Sequence, residues 1–83
     1  MPWQINLGAE LQAKIRSSHY KNNMIAALKV LSERIRQAKD PRNIPSFGIS
    51  NAYNCPAYIC QGCVFLCSID EENRTILLED ISY

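Results

Sequence analysis

Between Asn43 and Asn73 the chain carries no lysine, arginine or histidine. A sheet built from that stretch brings no cation of its own to a phosphate, which removes the ordinary basis for phosphodiester cleavage on its surface. His19 is the only histidine. It falls between two helical segments, where it reads as an exposed polar residue, and no acidic partner at a fixed spacing marks it as half of a Cys–His dyad. There is no glycine-rich phosphate loop and no strand that interleaves aromatic and basic residues to stack RNA bases. No apolar run approaches the ~20 residues of a membrane span, and MPWQINLGAE has neither the basic start nor the apolar stretch of a secretory signal. The expectation is a cytoplasmic chain without membrane association, whose thiols stay reduced.

What is present is an ordinary globular composition. Apolar residues make up 47% of the 83 and charged residues 20%, enough apolar surface to fold one domain over residues 1–83. Charge is unevenly distributed. Lys14, Arg16, Lys21, Lys29, Arg34, Arg36, Lys39 and Arg42 in the first half face only Glu10, Glu33 and Asp40. Arg74 alone offsets Asp70, Glu71, Glu72, Glu79 and Asp80 in the second. A basic half can meet RNA or an acidic protein segment, and solvated helix faces give the same count.

In INLGAELQAKIRSS, Leu7, Leu11 and Ile15 repeat every four residues; in YKNNMIAALKVLSERIRQAKD, Met24, Ala27, Leu28, Leu31, Ile35 and Ala38 follow three- and four-residue steps. Two amphipathic helices follow from these spacings. SSHYKNN is the break between them, with Ser17 or Ser18 as a cap for the second, and Pro41 ends it. After the connector DPRNIPSFG the pattern changes. AYNCPAYIC, CVFLCSI and RTILLEDISY are rich in aromatic and β-branched residues and read as strands, the last two joined by the acidic turn DEEN. Ile76, Leu78 and Ile81 break alternation, which predicts a bend. The expected fold class is α+β: an N-terminal αα-hairpin, about 6–39, packed on a three- to four-stranded antiparallel β-meander, about 50–83. Leu11, Ile15, Leu28, Leu31 and Ile35 are expected to pack on Phe65, Ile76 and Leu78.

All four cysteines lie in NCPAYICQGCVFLC. The spacing C-x4-C-x2-C-x3-C contains one C-x2-C element, but tetrathiolate zinc sites separate two such pairs by a dozen or more residues, and plant-type ferredoxins place their fourth cysteine far downstream. With Gln61 and Gly62 as a hairpin turn, Cys60 faces Cys63, Cys67 lies about 13 Å along the strand, and Cys55 falls on the other face. No metal or cofactor is expected, and the cysteines read first as core residues.

Two helices, DPRN and a meander ending in CVFLCSIDEENRTILLEDISY resemble the RelE/ParE superfamily of bacterial toxins from toxin–antitoxin pairs. The family reads helix, helix, Asp-Pro, strand, then a segment like GDYRVLYSIDEENRTVLILDIGHR. SIDEENRTILLEDI, Ser68 to Ile81, is similar to that segment, and QGCVFLC, Gln61 to Cys67, stands in place of GDYRVLY. The resemblance covers about residues 20–83 and leaves only PWQI, Pro2 to Ile5, as a counterpart of the family's first strand. It implies a partner antitoxin and a target such as the ribosome, mRNA or a topoisomerase. The arginine of the family's YRV falls on Val64, one from the preceding strand on about Ile59, and the terminal Gly-His-Arg has only Ser82 and Tyr83 opposite it.

Three readings follow. In the first, a toxin-like protein acts by binding and inhibiting its target, with Lys14, Lys21, Lys29, Arg34 and Arg36 as the basic residues that contact a partner or nucleic acid, and no catalytic residue is needed. In the second, a ribosome-dependent mRNA endonuclease draws its cations from that same set and its proton carriers from Tyr53, Tyr58 or Tyr83. In the third, the cysteines make a small zinc-binding interaction module.

Overall fold

Leu11 and Ile15 on one segment, and Met24, Ala27, Leu31 and Ile35 on the next, are buried at the three- and four-residue spacing of a helix that hides one stripe. In the computed structural model, which describes residues 3–83, those segments are α1 (Ala9–Ser17) and α2 (Lys21–Gln37). Neither opens the chain. A strand, β1 (Gln4–Leu7), precedes them, and a 3-10 turn (Pro41–Asn43) then leads to β2 (Phe47–Ser50), β3 (Cys55–Cys60), β4 (Cys63–Asp70) and β5 (Thr75–Ser82).

The five strands form one sheet in the order β1-β5-β4-β3-β2, with β1 parallel to β5 and the other pairs antiparallel. This corrects the expected architecture of an N-terminal αα-hairpin on an antiparallel meander of three or four strands. Two local patterns misled. INL continues the four-residue spacing of α1 through Leu7, yet Gln4 to Leu7 pair backbone to backbone with Thr75 to Leu78, and Leu7 is left 38% exposed. FGIS, whose Phe47 and Gly48 close the expected connector DPRNIPSFG, pairs with Cys55 to Tyr58.

Gly8 makes the transition from strand to helix. Its N–H donates to the Leu78 carbonyl at 2.8 Å, and a Cβ at Gly8 would stand 3.1 Å from that same oxygen, a tight contact against backbone, so the close approach favours a residue without a side chain. The α1–α2 break is short. Ser18 Oγ accepts from the Tyr20 N–H at 2.9 Å and shapes the turn, while Tyr20 occupies the N-cap of α2 without a side-chain bond; the expected serine cap is therefore a turn residue. After α2, Asp40 accepts from the Arg42 N–H at 3.0 Å and fixes the 3-10 turn.

One face of the sheet carries the core. Phe47, Tyr58, Phe65 and Ile81 are successive cross-strand partners across β2, β3, β4 and β5, and Tyr58 and Phe65 are fully buried. Leu11, Leu31 and Ile35 from the helices share that cluster with Ile76 and Leu78, as the helical spacing predicts, although Leu28 is only partly buried at its margin. α1 lies against β5 and α2 against β3. The expected bend is a register shift between Leu66 and Cys67, which pair with Asp80 and Leu78 and leave Glu79 unpaired.

Tyr58 donates its hydroxyl to the Pro41 carbonyl at 2.9 Å inside the core, and burial pushes its phenol well above the ordinary value. Tyr58→Phe leaves that carbonyl without its donor and is expected to lower unfolding free energy in urea by about 1–3 kcal/mol. An unchanged denaturation midpoint would mean that the bond contributes nothing.

Candidate functional site: the uncovered sheet face

Side chains alternate across a strand, so the register that sends Tyr58 and Phe65 inward sends their neighbours to the other face. There Gly48, Ala57, Leu66 and Asp80 form one cross-strand row, and Ile59, Val64 and Ser82 form the next. Neither helix packs its apolar stripe on these rows. Ile59 is 63% exposed. Beside it a groove of about 490 Å³ runs along β2, with Gly48, Ser50, Ala57 and Val64 in its walls and no charged side chain lining it; Ile49, 58% exposed on the edge strand, has the parity of Phe47 and points to the opposite face.

The edge beside this groove is open. β2 ends the sheet order, and the Ser46 carbonyl accepts from the Ile59 N–H at 2.9 Å, so antiparallel alternation directs Gly48 and Ser50 toward β3 and turns the backbone of Ile49 outward. An apolar, unguarded edge strand is a template for another extended segment.

At the other end, a smaller recess of about 90 Å³ shares Ser50 and Val64 with the groove and adds Lys14, Tyr53, Leu66, Asp80 and Ser82. Lys14 comes from α1, which continues the chain where β1 stops, and its Nζ reaches Asp80 at 2.7 Å. The hydrogen bond to Asp80 raises the Lys14 pKa, and the same bond lowers that of Asp80. This face therefore does receive a cation, from a helix that the missing charge between Asn43 and Asn73 could not reveal.

The other four basic candidates separate. Lys21, Lys29 and Arg36 lie on the solvent side of α2, away from the stripe of Met24, Ala27, Leu31 and Ile35. Arg36 borders a recess with Trp3 to Asn6. Arg34 turns to the opposite flank, where Nη1 donates to Ser46 Oγ at 3.0 Å and lies 3.8 Å from Cys60 Sγ. Five residues assigned to one surface thus occupy three.

The tyrosines separate as well. Tyr58 is committed to the core, and Tyr83 stacks on Tyr20 with ring centroids 4.4 Å apart and accepts from Asn23 at 2.9 Å. Only Tyr53, 70% exposed, stands near Lys14. Among the cysteines, Cys60 and Cys63 oppose each other across the β3–β4 turn, whereas Cys67 donates weakly to the Pro56 carbonyl at 3.5 Å, and burial raises its thiol pKa to about 12. No group of three or more His, Cys, Asp or Glu able to hold a metal occurs among the described residues. The sequence matches no protein-family model and no curated protein.

The Lys14–Asp80 pair makes a signed prediction. Asp80, with its pKa lowered, contributes stability above the ordinary carboxylate value and loses it as pH falls through the folded value below. Lys14, with its pKa raised, contributes below the ordinary amine value and loses it as pH rises through the folded value above. Both side chains are partly exposed, 48% and 31%, so the pair is worth about 0.2–1 kcal/mol. Asp80→Asn should reduce stability by that amount at neutral pH and by nothing below about pH 2; an equal loss at both would show that packing, not charge, is responsible.

Proposed function

We propose that this is a cytoplasmic, toxin-like protein of a toxin–antitoxin pair that acts by binding: the uncovered face and open β2 edge take an extended, apolar segment of the antitoxin, and the basic side of α2 contacts an acidic or nucleic-acid target such as the ribosome. The observation that carries this reading is the apolar groove beside Ile59 and the β2 edge, an exposed surface that folding itself does not need. The similarity of Ser68 to Ile81 to the toxin segment supports the class. β-strand addition supports the mode, because backbone bonds supply affinity and alternate side chains fill the groove. No helix among the described residues is long and apolar enough to cross a membrane.

A second reading, mRNA cleavage, rests on one observation: Lys14 and Tyr53 line a single recess with Ser50 and Ser82. The pair lacks what cleavage needs most. Lys14 is neutralised by Asp80, and no second cation lines the recess to stabilise the dianionic phosphorane.

Inducible expression in a bacterial host is expected to slow growth without codon-phased cuts in mRNA. Lys14→Ala and Tyr53→Phe should keep the arrest, and charge reversal at Lys29 and Arg36 should relieve it, as raised salt weakens target binding in extract. Codon-phased cleavage that disappears in Lys14→Ala or Tyr53→Phe would establish the endonuclease instead.

A further inference from the structure

Two of the four cysteines are brought face to face by the fold. Cys60 ends β3, Cys63 begins β4, and they are cross-strand partners. Between them Gln61 and Gly62 both have positive φ, 49° and 80°, the backbone of a type I′ turn. The residues flanking such a turn form a hydrogen-bonded pair with Cα atoms ~5.5 Å apart, within the span of roughly 4.4–6.8 Å that a disulfide bridges.

Both thiols are buried, Cys60 to 2% exposure and Cys63 to 0%, but they lie on the last rung of the hairpin and the turn itself is exposed. Access requires that the tip opens, not that the core does. Cys60 also has a cation beside it, since Arg34 Nη1 lies 3.8 Å from its sulfur, and this contact points to Cys60 as the sulfur that meets an anionic disulfide first. Burial raises the Cys63 thiol pKa, and Cys63 acts as the second, resolving thiol.

We propose that Cys60 and Cys63 are a redox-active dithiol that takes a small-molecule disulfide such as oxidised glutathione and closes to an intramolecular bond across the hairpin tip. The Cys60 thiolate attacks one sulfur of oxidised glutathione; that S–S bond breaks, and one glutathione leaves as a thiolate and takes up a proton. The Cys63 thiolate then attacks the Cys60 sulfur of the mixed disulfide and releases the second glutathione. The protein gives up two electrons and two protons, and the glutathione disulfide accepts them. Arg34 Nη1 also donates to Ser46 Oγ, on the residue before β2, so the dithiol is linked through Arg34 to the edge strand beside the groove.

The test uses the reduced full chain in mildly alkaline buffers of graded glutathione ratio, quenched by an alkylating reagent and read by intact mass and peptide mapping. The expected oxidised product has lost two hydrogens, is alkylated at Cys55 and Cys67 only, and yields a peptide pair joined through Cys60 and Cys63. Cys63→Ser should stop at a glutathione adduct on Cys60. A bond between Cys55 and Cys67, four alkylated cysteines at every ratio, or Cys60–Cys63 closure only in denaturant would each overturn the proposal.

Discussion

The alternation along β4 is the constraint on which the rest of the molecule depends. Cys63, Phe65 and Cys67 point into the core, while Val64 and Leu66 point to the uncovered face. A slip of one residue would exchange the two sets and leave the helices nothing apolar to cover. Each neighbour is held to the same division: Tyr58 pairs with Phe65, Ile81 pairs with Phe65 from the other side, and Ile76 and Leu78 continue the inner face beyond the bulge. The helices contribute one stripe each, so they cover one face and no more. Removing Phe65 would cost about 3–5 kcal/mol by the usual measure of a large buried aromatic, most of the stability of a domain this small.

That economy decides where function can lie. With two helices packed on one face, the second face keeps Ile59 in water, at a cost of ~25 cal/mol for each Å² left uncovered. Charge is arranged around the groove and not in it. Lys21, Lys29 and Arg36 stand on the solvent side of α2, the carboxylates Glu71 and Glu72 lie in the β4–β5 turn, where Glu71 pairs with Arg42, and the cation that reaches the uncovered face is held by Asp80. A groove without charge suits an apolar segment, and an ion pair at its end suits orientation of that segment more than bond cleavage.

Much of this was legible in the sequence because it is local. The helix stripes, the stop before Pro41, the hairpin tip at Gln61 and Gly62 and the acidic turn after Asp70 are each written in neighbouring residues. The parallel pairing of Gln4 to Leu7 with Thr75 to Leu78 is not, since it joins the two ends of the chain and INL also fits the helical spacing that follows. FGIS is four residues long and becomes a strand only because β3 lies beside it. The candidate site was harder still. Lys14 looked like one of several helix cations; its place on the sheet depends on α1 running on from β1, and no pattern within the helix signals that. Tyr58 and Tyr83, equal candidates with Tyr53 by composition, are removed by a bond to Pro41 and a stack on Tyr20, both long-range contacts.

The most direct test of the open face is the stability of an Ile59→Ser variant. If that side chain stands in water, as its 63% exposure indicates, unfolding free energy by urea denaturation should stay within about 0.5 kcal/mol of the parent, as for surface substitutions away from packed groups. A loss of several kcal/mol would mean that the face is packed within the folded chain, and the account of it as a docking surface would be wrong.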